Sequence, residues 1–334
     1  MAETERPPLR YLAAADVIAA MPDLDERLEL AERSLTSLVG DAELPPKIGV
    51  HPRPADSFAH AMPAFLRGTD SDGRRDLIGM KWVAGFPTNN DRGLPAINAV
   101  VILNDAATGL PSAILDGAPI TALRTAAVSG VAIRHFAPVV AGRAPRAALI
   151  GAGVQGRSHL EVIGRVLGGV ELTLYDRHPE RAAALADEAR STEGIAAVAI
   201  APDARTAVRD ADVVVTAASF GPVNQVMTAD WLGPDVVVVP VDYATYCAAD
   251  VAREAALFLV DDRAQFLANR DAGAFEGYPD PTGTLGEAIL AGTKRPAVGR
   301  VVATHLGVGL ADVVFGSAIV RRAETLGLGT LLRR

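Results

Sequence analysis

Cysteine is almost missing from this chain of 334 residues: Cys247 stands alone, so no disulfide can close within one molecule. Aromatic side chains make up only 5% of the chain. No run of 18 consecutive apolar residues occurs, which leaves no candidate transmembrane helix. Positive charge is in deficit, with 32 Lys and Arg against 40 Asp and Glu and a net charge of −8. Such a balance does not suit a surface that tracks phosphates, so nucleic acid is not an expected partner. The opening MAETERPPLR carries charges and prolines where a secretory signal needs an apolar core. Together these absences point to a cytoplasmic protein with neither membrane nor nucleic acid as partner. Internal repeats and low-complexity linkers are also missing.

What is present is ordinary globular material. Hydrophobic residues account for 49% and charged residues for 22%, and the length suits about two domains. Residues 11–40 place apolar side chains at helical spacing, broken by Met21-Pro22, and predict two short helices. Residues 44–140 are rich in proline and glycine. Within them AINAVVIL (96–103) predicts a strand between turns, and ITALRTAAVSGVAIRHFA (120–137) a long helix.

From about residue 144 strands and helices alternate. AALI (147–150), ELTLYD (171–176), VAI (198–200), DVVVTAA (212–218), VVVVPVD (236–242) and ALFLVDD (256–262) read as strands. QGRSHLEVIGRVL (155–167) and the proline-opened PERAAALADEARS (179–191) read as helices. The pattern predicts an α/β fold with a doubly wound parallel sheet. Residues 308–328 return to helical spacing.

The stretch I-G-A-G-V-Q-G matches G-x-G-x-x-G at Gly151, Gly153 and Gly156. It follows a strand, opens a helix, and is followed 20 residues after Gly156 by Asp176 at the end of the next strand. The first glycine permits the turn, the second lets backbone approach a pyrophosphate, and the third lets helix and strand pack closely. Asp176 is placed to accept from ribose hydroxyls and to repel a 2′-phosphate, which favours NAD over NADP. Arg177 beside it is the residue that would serve such a phosphate.

KWVAGFPTNNDR (81–92), LNDAATGLP (103–111), ITALRTAA (120–127), IGAGVQG, ADVVVTAAS (211–219) and LGVGLAD (306–312) together resemble the ornithine cyclodeaminase/mu-crystallin family. The resemblance runs from about residue 44 almost to the end. It implies a Rossmann domain over 129–304 and a second, α+β domain over 1–128 plus 305–334 that binds substrate and forms a homodimer. Lys81 aligns with the family's active-site lysine and Arg124 with its carboxylate-binding arginine, whose planar fork can grip a carboxylate at two points. Lys47 stands where many relatives carry a second carboxylate-binding arginine, and is either a ligand or a solvated loop lysine. Met62 resembles a pocket position and reads equally as core. Val154, Gln155, Thr216, Ala217, Ser219 and Gly307 fall in the family's cofactor-contacting stretches.

Asp242, at the end of an apolar strand, matches the family's acid–base aspartate, with a helix or turn cap as the plainer reading. Thr245-Tyr246 replaces the Gly-Lys of the cyclodeaminases, and Ala96 replaces a threonine. The resemblance implies an NAD-dependent enzyme of ornithine cyclodeaminase type, acting at the Cα–N bond of a small L-amino acid. Arg124 and Lys81 would hold the carboxylate and Asp242 would take the amine proton while Cα gives a hydride to nicotinamide. The imine then cyclises with loss of ammonia. An alanine-type dehydrogenase, a cyclic imine reductase and a non-catalytic crystallin-like binder are the alternatives. The six histidines show no metal-ligand spacing, so no metal is expected. His305 reads either as a nicotinamide contact or as a structural histidine, and Cys247 as an inert small side chain.

Overall fold

The computed structural model describes residues 6–68, 75–218 and 224–334. The chain divides into two compact units, Met1–Arg124 with Val308–Arg334 and Thr125–Gly307. The first part of the chain forms β1 (Leu9–Leu12), α1 (Ala14–Ala19), α2 (Leu24–Ser37), β2 (Ala42–Glu43), β3 (Ile48–Val50), β4 (Phe58–Leu66), β5 (Leu77–Gly85), β6 (Ile97–Asn104), β7 (Pro111–Asp116) and α3 (Gly117–Phe136). The middle follows with β8 (Arg146–Ile150), α4 (Val154–Leu167), β9 (Val170–Tyr175), α5 (Pro179–Arg190), β10 (Ile195–Ile200), α6 (Ala204–Val208), β11 (Val213–Thr216), β12 (Val237–Pro240), α7 (Ala249–Arg253), β13 (Leu257–Val260), α8 (Arg263–Asp271), β14 (Gly283–Thr284), α9 (Leu285–Leu290) and β15 (Val301–Thr304). The chain closes with α10 (Gly309–Leu326) and β16 (Thr330–Leu332).

The first unit holds a mixed sheet in the order β16-β1-β7-β6-β5-β4-β2, with β3 also paired to β4. Burial along β5 alternates, so Gly79, Lys81, Val83 and Gly85 face inward while Ile78 and Trp82 face out. Helix α10 covers the inner face and is buried on all sides over Gly309–Gly316. It approaches closely because Gly309 has no side chain: a Cβ there would run into the Met62 carbonyl on β4.

The second unit holds an all-parallel sheet in the order β10-β9-β8-β11-β12-β15-β13-β14. Its inner strands VVVT, VVVP, LFLV and VVAT are buried at every position, as strands covered on both faces must be. Strand order reverses about β8, where β9 lies to one side and β11 to the other. That places a ligand crevice at the C-terminal ends of these strands. Among the described residues no helix is long and apolar enough to cross a membrane.

Candidate functional site

Two groups of side chains carry chemistry, one in each unit. In the first unit Lys81 occupies the middle of β5, opposite Met62 on β4 and Val101 on β6. Its Nζ lies 2.7 Å from Asp312 Oδ2. Arg124, on α3, donates from Nε to Asp312 Oδ1 at 3.1 Å. Asp312 is in the first turn of α10, where the helix dipole favours an acid. All three are buried, with Lys81 2% exposed, Arg124 5% and Asp312 0%.

Burial, then the nearby Arg124, pushes the Lys81 ammonium down to about 7 against the pull of Asp312, and Lys47 adds to the push. Lys81 therefore exchanges its proton near neutrality. His60, two residues before Met62 on the same strand face, is pushed to about 4 by burial and by the charges of Lys47, His51 and Lys81. It is neutral at pH 7. Lys47 sits just before β3, half-buried. Met62 is buried, with its backbone against the start of α10. With Lys81 protonated, two cations against one buried carboxylate leave a net positive charge, suited to a carboxylate ligand.

In the second unit β8 runs into the glycine-rich turn. Gly151 has φ 105°, and its N–H donates to the Tyr175 carbonyl at 2.8 Å. A Cβ at Gly151 would strike the Ala217 carbonyl, and one at Gly156 the Gly151 carbonyl. Gly153 has nothing within 4 Å of where its Cβ would stand, so its surface is open. It is the N-cap of α4 and offers no side-chain cap. The N–H groups of Val154, Gln155 and Gly156 in the first turn thus keep donors for an anion, and the first intrahelical bond runs from the Arg157 N–H to the Gly153 carbonyl. Asp176 is held beneath this turn: its Oδ2 accepts from the Ala152 N–H at 2.7 Å and its Oδ1 from the His178 N–H at 2.8 Å. The remaining lone pairs suit ribose hydroxyls. Arg177 donates from Nε to His178 Nε2 at 3.2 Å. A tight glycine turn, an uncapped helix start and a fixed carboxylate fit a dinucleotide.

Asp242 lies two residues beyond β12 and is buried. Its Oδ1 accepts from Thr216 Oγ1 at 3.0 Å and its Oδ2 from the Ala218 N–H at 2.9 Å. Burial raises its carboxyl to about 7, and these two donors pull the other way. The groups opposing burial are therefore neutral donors. Thr216 spends its hydroxyl on Asp242, and Ala217 packs its carbonyl under Gly151. Gly307 has φ 78° and uses both its polar groups within the protein, its N–H to Asp261 Oδ2 at 2.7 Å and its carbonyl to Gln265 Nε2 at 3.2 Å. Ser219 lies outside the described residues. Cys247 is buried with its thiol pushed to about 12, so it offers no thiolate.

Several residues here carried no assignment from sequence. Asp312 is one, and its signal was a lone acid in the apolar run VGLADVVFG. Tyr243 is another. It has φ 57°, uncommon for a bulky residue, and is held there by a hydrogen bond from its hydroxyl to the Leu306 carbonyl at 3.2 Å and by stacking on Phe275. Ser129 joins His159 and His305 through its hydroxyl, at 2.8 Å to each Nε2. Among the described residues no three His, Cys, Asp or Glu side chains converge as metal ligands do.

Comparison with known proteins gives these residues a context. The sequence model of the ornithine cyclodeaminase/mu-crystallin family matches residues 12–300. Nodulation efficiency protein NfeD of Rhizobium meliloti is 35% identical over 332 residues, covering 97% of this chain and 98% of its own. The structure of Thermococcus litoralis Delta(1)-pyrroline-2-carboxylate reductase with NADH and L-proline superposes with a TM-score of 0.82 at 25% identity, covering 96% of this chain and 99% of its own. An archaeal alanine dehydrogenase dimer with bound NAD gives a TM-score of 0.81 at 25% identity, covering 97% and 99%.

Proposed function

Because the chain belongs to the ornithine cyclodeaminase/mu-crystallin family, we propose that it is an NAD-dependent enzyme acting at the Cα–N bond of a small L-amino acid or of the matching imine. The observation that carries this reading is Asp242, a buried carboxylate beyond the end of a parallel strand whose proton affinity burial has raised to about 7. A group with that affinity can take and return a proton at neutral pH. An amine must lose its proton before Cα can give up a hydride, because an ammonium has no lone pair to stabilise the forming iminium.

The chain's own residues divide the work. Arg124 and Lys81, steadied by Asp312, bind the substrate carboxylate, with Lys47 adding positive charge. Asp242 accepts the amine proton, and Thr216 and the Ala218 N–H fix its two oxygens. Gly151, Gly153 and Gly156 make the turn for the pyrophosphate, and Asp176 takes the adenosine ribose. When bound, NAD supplies the hydride acceptor. Arg177, turned onto His178, leaves Asp176 to set a preference for NAD over NADP.

The fate of the imine separates two readings. The sequence first favours a cyclodeaminase, in which the substrate's second amine captures the imine and the cofactor is regenerated. Full-length similarity to an alanine dehydrogenase and an imine reductase favours net oxidoreduction. Mass spectrometry of products from L-ornithine and L-alanine with NAD, and from a cyclic imine with NADH, tests them. Proline without NADH build-up supports the first, and net NADH formation or consumption supports the second. No product from any of the three would overturn both.

The proposed partner is a second copy of the chain. On the sheet face turned away from α10, Tyr11, Ile78 and Trp82 are exposed large apolar residues, a surface suited to burial against another copy. Sedimentation of the purified protein as a dimer supports this, and a monomer at micromolar concentration would contradict it.

A further inference from the structure

Asp242 owes its placement to the chain on both sides of it. β12 ends at Pro240, and the Val241 N–H still bonds the Thr216 carbonyl at 2.8 Å, so the approach to Asp242 is fixed by the sheet. Further on, the Tyr246 carbonyl accepts from the Met227 N–H and the Met227 carbonyl from the Ala248 N–H, both at 2.9 Å, so the exit is fixed as well. Between the two the chain turns over residues 242–245, closed by the Thr245 N–H on the Asp242 carbonyl at 3.1 Å. The turn also brings the Tyr246 N–H back to the Asp242 carboxyl, where it joins the donors Thr216 and Ala218.

Tyr243 occupies the second position of this turn at φ 57°. A turn with positive φ there suits glycine, asparagine or aspartate. A Cβ is crowded in the left-handed region, and a bulky residue stays in it only where the surroundings hold it. Here the side chain itself provides the hold. Its ring stacks on Phe275, with centroids 5.6 Å apart and planes 22° apart. Phe275 is buried and packs against Phe266 and Tyr278. The Tyr243 hydroxyl donates to the Leu306 carbonyl at 3.2 Å. The aromatic cluster thus offsets the backbone strain.

We infer that Tyr243 is a positioning residue for Asp242: its anchored side chain enforces the left-handed backbone that folds the Tyr246 N–H onto the carboxylate. The inference rests on the proposed role of Asp242 as the base. The titratable groups that sense the Asp242 charge are Tyr246 and Cys247, pushed by burial to about 12, and Tyr278, pushed well above the usual phenol value. All three are uncharged near neutrality, so a titration there reports Asp242 and the donors around it.

Tyr243→Ala and Tyr243→Gly separate a backbone role from a packing role. Both remove the ring and the hydroxyl, and they differ by one Cβ, which alone resists φ 57°. Carbon-13 spectra of aspartate-labelled protein follow the Asp242 carboxyl, identified as the signal missing in Asp242→Asn. Its midpoint is expected at about 7 in the native protein. It should rise by about one pH unit in Tyr243→Ala, as the Tyr246 N–H is lost, and return towards the native value in Tyr243→Gly. Turnover of L-ornithine or L-alanine with NAD is expected to be about 3–10-fold higher in Tyr243→Gly than in Tyr243→Ala, with equal NAD affinity. An unchanged midpoint in Tyr243→Ala, or a glycine variant no better than the alanine one, would overturn the inference, because lost packing gives glycine no advantage. Where neither variant folds, Tyr243→Phe replaces them, since it loses only the hydroxyl bond: a midpoint above the native one supports the inference and an unchanged one overturns it. The carbon-13 titration needs neither substrate nor cofactor. If Asp242→Asn keeps turnover within about threefold of native, the base reading falls and that titration alone decides whether Tyr243 places the carboxyl. If Asp242→Asn is inactive and the alanine and glycine variants behave alike, only this inference falls.

Discussion

The two units bury charge to the same depth and treat it in opposite ways. In the first, Lys81 and Arg124 flank Asp312 and the ions answer one another. In the second, Asp242 is alone among neutral donors, with Thr216 and the Ala218 N–H as its partners. Paired ions form a fixed electrostatic socket, in which removing one member leaves the others uncompensated. Neutral donors hold a carboxylate like Asp242 in place and only partly offset burial, which raises its proton affinity to what a base working at neutral pH needs. The first unit is thus built to hold charge and the second to exchange it. Lys81 lies between the two roles, since burial and Arg124 bring it to about 7 in spite of Asp312.

The sharpest way to break this contrast is Asp312→Asn. It leaves two buried cations facing each other, and a loss of about 3–5 kcal/mol is expected in denaturant unfolding. Asp242→Asn should do the reverse. Turnover is expected to fall by roughly 10²–10⁴-fold, with NAD binding and folding retained, in steady-state kinetics and calorimetry. Turnover within about threefold of the native value would place the base elsewhere.

Arg124→Ala should raise KM for the amino acid by roughly 10–150-fold, the equivalent of about 1.5–3 kcal/mol for a lost charge-assisted contact, with NAD affinity little changed. An unchanged KM would assign Arg124 to structure alone. The pH dependence of stability separates the units by sign. Asp242 has a folded pKa of about 7, above its unfolded value of about 3.9, so its contribution is present at low pH and lost as pH rises from about 4 to 7. Lys81 has a folded value of about 7, below its unfolded value of about 10.4, so stability is regained as pH rises from about 7 to 10. Asp242→Asn should flatten the lower window and Lys81→Met the upper one. The smallest expected effect is Asp176→Ser, which should relax the preference for NAD over NADP. Equal binding of both cofactors by the native protein would show that Arg177 dominates.

Much of the second unit was legible because its constraints are local. Gly151 and Gly156 stand where a Cβ would strike backbone, Gly153 completes their spacing, and the runs VVVT and LFLV mark strands covered on both faces. The first unit was less legible. β4 carries Pro63 and His60, and β5 carries Lys81 and two glycines, so neither resembles an apolar strand. Their pairing is set by register with each other and by α10 across the chain. The sequence marks Lys81 and Arg124 but not Asp312 between them. Its meaning depends on a helix 188 residues from Arg124 packing against β5. Tyr243 was hidden for a similar reason, since a backbone angle leaves no pattern in spacing.

The most direct test of the central claim follows the hydrogen on Cα. The protein is incubated with NAD and with L-alanine or L-ornithine deuterated at Cα, and the cofactor and products are read by mass spectrometry. The account expects deuterium at C4 of the nicotinamide, or returned to the Cα of proline if the cofactor is regenerated. Retention of the label in unreacted amino acid, with NAD bound and no label in cofactor or product, would contradict hydride transfer at the Cα–N bond.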